Sequence, residues 1–123
     1  MKETEKRLPN LTFDHAELLA RVDNDRELLH DLLAIFKHEF PQLLKALRQA
    51  VESGDGKLVA VAAHTLKGML LNLAAGQAAA AVGRLEQLGR NGETAGFQDA
   101  LAAFERDATS LLPQLDACMA EVH

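Results

Sequence analysis

Residues 55–74, DGKLVAVAAHTLKGMLLNLA, decide how the rest of the chain is read. At about 100° of rotation per residue, Leu58, Val59, Ala62, Leu66, Met69, Leu70 and Leu73 fall within an arc of about 120°. That spacing predicts one amphipathic helix whose apolar arc faces a core. His64 lies about 180° from the centre of the arc, so it is expected to be solvent accessible. Ala60, Lys67, Gly68 and Leu71 share its face, one turn before it and one or two turns after. A lone His in a helical protein is ordinarily a satisfied core side chain or a common surface residue. Its orientation argues against the first, and its neighbours argue against the second. Small residues clear space around the imidazole, Leu71 offers exposed apolar area, and Lys67 at i+3 puts an ammonium near anything bonded to the ring.

Working outward, Leu29, Leu32, Leu33, Phe36, Phe40, Leu43, Leu44, Leu47 and Val51 recur at helical spacing over about 25–53. Pro41 removes a hydrogen bond within that stripe, yet the stripe continues in phase, so one kinked helix is expected rather than two. Before it, residues 11–22 read as a short helix opening at Thr12 or Asp14. Ser53-Gly54-Asp55-Gly56 supplies a turn. Gly76 is expected to mark the turn into a helix over 77–90 carrying Val82, Leu85 and Leu88, which Asn91-Gly92 ends. A last helix, over about 93–122, places Phe97, Leu101, Phe104, Ala108, Leu111, Leu115 and Met119 on one face, with Pro113 a second kink. Long amphipathic helices joined by short turns pack as antiparallel neighbours. The expected fold is therefore all-α: an antiparallel up-down-up-down four-helix bundle with a short additional N-terminal helix. Residues 1–10 are expected to form a flexible N-terminal segment and 11–123 the bundle domain.

Composition narrows the function. A chain of 123 residues suits a single core. A net charge of −5 with 13 scattered basic residues argues against a nucleic-acid partner. The single Cys118 has no internal partner for a disulfide, which makes a reducing cytoplasm the expected setting. No run approaches the ~18 apolar residues of a membrane span, so no direct membrane contact is expected. Gly56-Lys57 is not a nucleotide loop, because Val51 and Leu58 occupy the positions where that motif needs Gly and Ser or Thr. Glu27 and His30 match one Glu-x-x-His element of di-iron bundles, which need two such elements and two further Glu. His15, His38 and His123 suggest no metal spacing either, and no metal site is expected. No nucleophile elbow or Cys/His motif suggests an enzyme.

Imidazole is the side chain that stays partly neutral and nucleophilic near neutral pH, and it can carry a phosphoryl group. A dianion on His64 would be held by Lys67 through a charge-assisted contact of about 1.5–3 kcal/mol where partly desolvated. Ala63-His64-Thr65-Leu66-Lys67-Gly68, followed by Asn72-Leu73, resembles the signature of histidine-containing phosphotransfer (HPt) domains. Phe13-Asp14, the 36–44 segment around Pro41, Gly54-Asp55, Leu85-Glu86 and Arg90-Asn91-Gly92 extend the resemblance over about residues 11–120. It implies a four-helix core, with His64 as phosphoacceptor through Nε2, Lys67 supporting the phosphoryl group, and Gly68 admitting the partner. Ala60, Val61 and Leu71 are the expected docking residues. The chain departs from the family pattern at Met69, where a small residue is frequent, and at Ala74-Ala75, in place of a Gly-Ala pair.

In related domains a polar residue on the next helix orients the ring through its other nitrogen. Glu86 is the candidate here, the alternative being an ordinary solvated Glu. The resemblance further implies a phosphorelay carrier without its own nucleotide site, and so not an enzyme. The implied partners are response-regulator receiver domains and a hybrid sensor histidine kinase. No cofactor is expected, Mg²⁺ belonging to the partner's receiver domain, and the domain is expected to be monomeric. The competing reading is a helical adaptor that binds a receiver or kinase domain without carrying phosphate.

Overall fold

Aspartates open two of the long helices. The Asp25 side chain accepts the Leu28 N–H at 3.0 Å and the Asp55 side chain accepts the Leu58 N–H at 3.2 Å, each satisfying an otherwise orphaned donor of a first turn. In the computed structural model of the protein, residues 15–121 are described. They form α1 (His15–Arg21), α2 (Arg26–Ser53), α3 (Gly56–Asn72), α4 (Gly76–Asn91), a 3₁₀ turn (Thr94–Gly96) and α5 (Phe97–Glu121), with no strand among them. The expected caps Thr12 and Asp14, the Phe13-Asp14 pair, the segment 1–10 and the Met119 side chain lie outside what is described. Both α2 and α5 run unbroken past their prolines, Pro41 and Pro113.

Helix neighbours form a ring, α2 against α3, α3 against α4, α4 against α5, and α5 back against α2. Paired residues give the directions. Lys37 bonds Asp116 while Arg48 reaches Glu105 at 2.6 Å, so α2 and α5 run opposite ways. Gly56 abuts Gly89 while the Lys67 stem lies against Gly83, so α3 and α4 do the same. On the other side of the bundle, Gln77 bonds Asp107 at 3.1 Å while Leu88 packs on Gly96. The up-down-up-down arrangement follows. Inside it Phe36, Phe97, Phe104, Leu47, Leu66 and Leu85 are fully buried. Phe40 bridges helices, with ring centroids 5.1 Å from Phe36 and 6.4 Å, edge to face, from Phe104.

Each of the four turns between helices holds a left-handed residue: Asp23 and Asn24 in the first, then Gly54, Ala74 and Gly92. At Gly92 (φ 69°) the Glu93 N–H reaches back to the Leu88 carbonyl at 3.0 Å. At the end of α3 the same motif has the Ala75 N–H on the Leu70 carbonyl at 2.9 Å, but its left-handed residue is Ala74, at φ 58°. The turn expected at Gly76 is therefore made two residues earlier by an alanine, and Gly76 is already the first residue of α4.

Core assignments on α3 need one correction. Its buried residues are Val59, Ala63, Leu66 and Leu70, whereas Leu58 is 54% exposed and Met69 and Ala62 are half-buried. The true apolar centre is rotated by about 50° from the predicted one, which puts His64 about 130° from it instead of 180°. On α2, Leu32 likewise stands at the rim and not inside.

Candidate functional site

That rotation turns His64 toward α4. Its side chain stays 65% exposed, while Nδ1 comes 2.9 Å from Oε2 of Glu86. Glu86 sits on the inner flank of α4, with its side chain only 4% exposed. It is the one buried charged residue among those described. Its burial answers the open alternative against a solvated surface Glu. An ionised carboxylate only accepts hydrogen bonds, so the ring proton resides on Nδ1 and the Nε2 lone pair is left outward.

The carboxylate gathers three partners. Lys67 Nζ is 2.8 Å from Oε1, and Arg90 Nη2 is 2.6 Å from Oε2, the oxygen that His64 also uses. Burial pushes the Glu86 carboxyl up, but the ion pair with Lys67, the hydrogen bond from His64 and the charge of Arg90 outweigh it. Its pKa is held below the usual value. Gly83 makes room for this arrangement, since a Cβ there would stand 3.3 Å from Lys67 Cδ. Lys67 and His64 thus meet on one carboxylate, which the sequence did not foretell. Arg90 was missed as a site residue although the resemblance included it; its physical signal was its spacing of one helical turn from Glu86.

Around His64 the surface of α3 is open. A Cβ added at Gly68 would meet nothing within 4 Å, so no packing demand inside the molecule explains that glycine. Val61, one turn before His64, is 66% exposed, and Leu71 is exposed two turns after it. Ala60 is half-buried, its backbone close to Gly89 of α4, and it contributes little to the open face. Exposed Leu32 and Ile35 of α2 border Asn72 and Met69, extending the apolar surface beyond α3. Among the described residues no group of three or more His, Cys, Asp or Glu side chains is placed to hold a metal ion. Nor is any helix among them long and apolar enough to cross a membrane.

This arrangement offers an oriented nucleophile on an accessible helix face, backed by a buried anion and two cations. Residues 31–123 match the family model described as the Hpt domain. No curated protein and no solved structure matches the chain.

Proposed function

The chain belongs to the Hpt domain family, whose members carry phosphoryl groups on histidine in phosphorelays, and from that premise we propose that His64 is the phosphoacceptor, taking its group from a receiver-domain aspartate and returning it to another. The observation that supports this most is the 2.9 Å contact between His64 Nδ1 and Glu86 Oε2, which leaves Nε2 free on an exposed face. In the forward step the Nε2 lone pair attacks the phosphorus of the partner's aspartyl phosphate. The N–P bond forms, the P–O bond to the aspartate breaks, and the aspartate leaves as a carboxylate. Nδ1 keeps its proton, so the ring gains a positive charge that faces the Glu86 carboxylate. Electrostatic stabilisation of charge that develops on reaction is a large catalytic effect.

Lys67 is the proposed partner for the phosphoryl oxygens, a charge-assisted contact that its position three residues on from His64 permits. Gly68 is proposed to keep the approach clear, and exposed Val61 and Leu71 to make the docking contacts. The carrier has no nucleotide site of its own, and the Mg²⁺ that transfer requires is assigned to the partner's acidic pocket. A monomer in the cytoplasm, serving receiver domains and a hybrid sensor kinase, is the setting proposed.

Incubation of the protein with a phosphorylated receiver domain tests the reading. Acid-labile, base-stable phosphate is expected on the wild type and not on His64→Gln. Label retained by that variant rejects His64, and an unlabelled wild type across several donors favours an adaptor that binds without carrying phosphate.

A further inference from the structure

Arg90 lies one turn beyond Glu86 on α4 and shares Oε2 with His64, at 2.6 Å and 2.9 Å respectively. Lys67 alone takes Oε1. The two cations differ in where they are anchored. Lys67 springs from α3, the helix of His64, three residues after it. Arg90 springs from α4, as Glu86 does, and is 59% exposed. An Arg one turn after a Glu is held in the favourable order for a helical pair.

Once Lys67 turns to a phosphoryl group, nothing on α3 but the ring itself remains on the carboxylate. A glutamate side chain has three torsions and follows whichever cation is left. Without Arg90, the carboxylate of the unmodified protein is drawn to Lys67 and Oε2 loses its restraint toward Nδ1. A buried charge stripped of a partner is also strongly disfavoured.

We infer that Arg90 is a positioning residue for phosphoryl transfer: by gripping Oε2 it keeps Glu86 aimed at Nδ1 of His64 while Lys67 exchanges Oε1 for the phosphoryl group. This rests on the reading of His64 as phosphoacceptor, but one of its consequences is visible without any phosphate. Arg90 sets the ring's tautomer, and a merely structural Arg would not.

Arg90→Met and Arg90→Lys in the full chain separate the possibilities. Nitrogen chemical shifts of the His64 ring report the tautomer, with the other four histidines as internal references. Transfer from a phosphorylated receiver reports the rate, and a thermal melt reports the fold. For Arg90→Met we expect a smaller Nδ1–H population and a transfer rate lower by about tenfold, as for a misaimed catalytic group. Arg90→Lys should recover most of both. An unchanged tautomer in a folded Arg90→Met protein overturns the inference, even where the wild type labels normally. A wild type that never labels defeats the phosphoacceptor reading and with it the role in transfer, whereas a tautomer shift in Arg90→Met would then show only that Arg90 orients the ring.

Discussion

His64 Nδ1 and Glu86 Oε2 stand 2.9 Å apart across the α3–α4 interface, an exposed ring tied to a buried carboxylate. On the proposed role of His64 the bond selects the ring nitrogen that reacts, so its loss is expected to be kinetic first. Glu86→Gln retains the shape but removes the charge that faces the developing imidazolium. Transfer to His64 should slow by about 10- to 100-fold, the equivalent of a charge-assisted hydrogen bond of ~1.5–3 kcal/mol. Rapid-quench measurement of phosphate transfer from a labelled receiver checks this, and a rate within twofold of wild type contradicts it.

The same carboxylate makes stability depend on pH. Glu86 has its pKa lowered in the folded protein from a free glutamate's 4.5. A lowered acid pKa stabilises the fold at pH above the unfolded value, and that contribution is lost as pH falls through the folded value. The stability difference between wild type and Glu86→Gln should therefore be constant from about pH 6 to 8 and shrink below about 4.5. Urea titrations of both proteins at several pH values read it directly. A gap that widens on acidification would reverse the sign.

Gly68 is held in the middle of α3 with empty space where a Cβ would go. Helix propensity alone favours Ala there by about 1 kcal/mol. Gly68→Ala should raise stability by roughly 0.5–1 kcal/mol while slowing receiver transfer by about tenfold or more, because the added methyl stands between His64 and its partner. Melting temperature and transfer rate moving in opposite directions is the expected signature. A variant as fast as wild type would leave Gly68 without a functional reason.

Ala74 closes α3 in a left-handed conformation that costs an L-residue with a Cβ about 1–2 kcal/mol. Gly there loses more entropy on folding, about 0.5–1 kcal/mol. On balance Ala74→Gly should stabilise the protein by about 0.5–1 kcal/mol without changing transfer, since residue 74 is remote in sequence from the His64 face. Denaturant unfolding and the transfer assay together check it.

Much of this was legible beforehand. Helical periodicity located every long helix to within a few residues, and His64 was correctly placed outward. Glu86, the candidate on the next helix, does meet the ring. The apolar arc of α3 was misjudged because hydropathy counts Leu58 as core, whereas Leu58 and Val61 are apolar and exposed. Exposed apolar residues pull the apparent core toward themselves, and only packing shows which side α4 occupies. Arg90 stayed hidden for a related reason. A charged residue near a helix end reads as solvated until its partner is known to be buried. Ala74 was illegible because its left-handed turn contradicts its own propensity.

The closeness of α3 to α4 depends on a pair of glycines. A Cβ on Gly89 would lie 2.7 Å from the Gly56 carbonyl oxygen and 2.8 Å from the Ala60 nitrogen, and one on Gly56 would lie 2.6 Å from the Gly89 oxygen. These obstacles are backbone atoms, which cannot swing aside as a side chain tip can. Gly89→Ala must therefore push the helices apart, costing about 1–3 kcal/mol as overpacking does, less the ~1 kcal/mol that Ala gains in helix propensity. Gly89 lies three residues after Glu86 and directly before Arg90, so the displacement is transmitted to both. We expect Gly89→Ala to be less stable than wild type and slower in transfer, with a reduced Nδ1–H population at His64. Gly83→Ala, which meets only the Lys67 stem at 3.3 Å, should be far milder. Equal stability of the two variants would show that the spacing of α3 and α4 does not depend on the absence of side chains at 56 and 89.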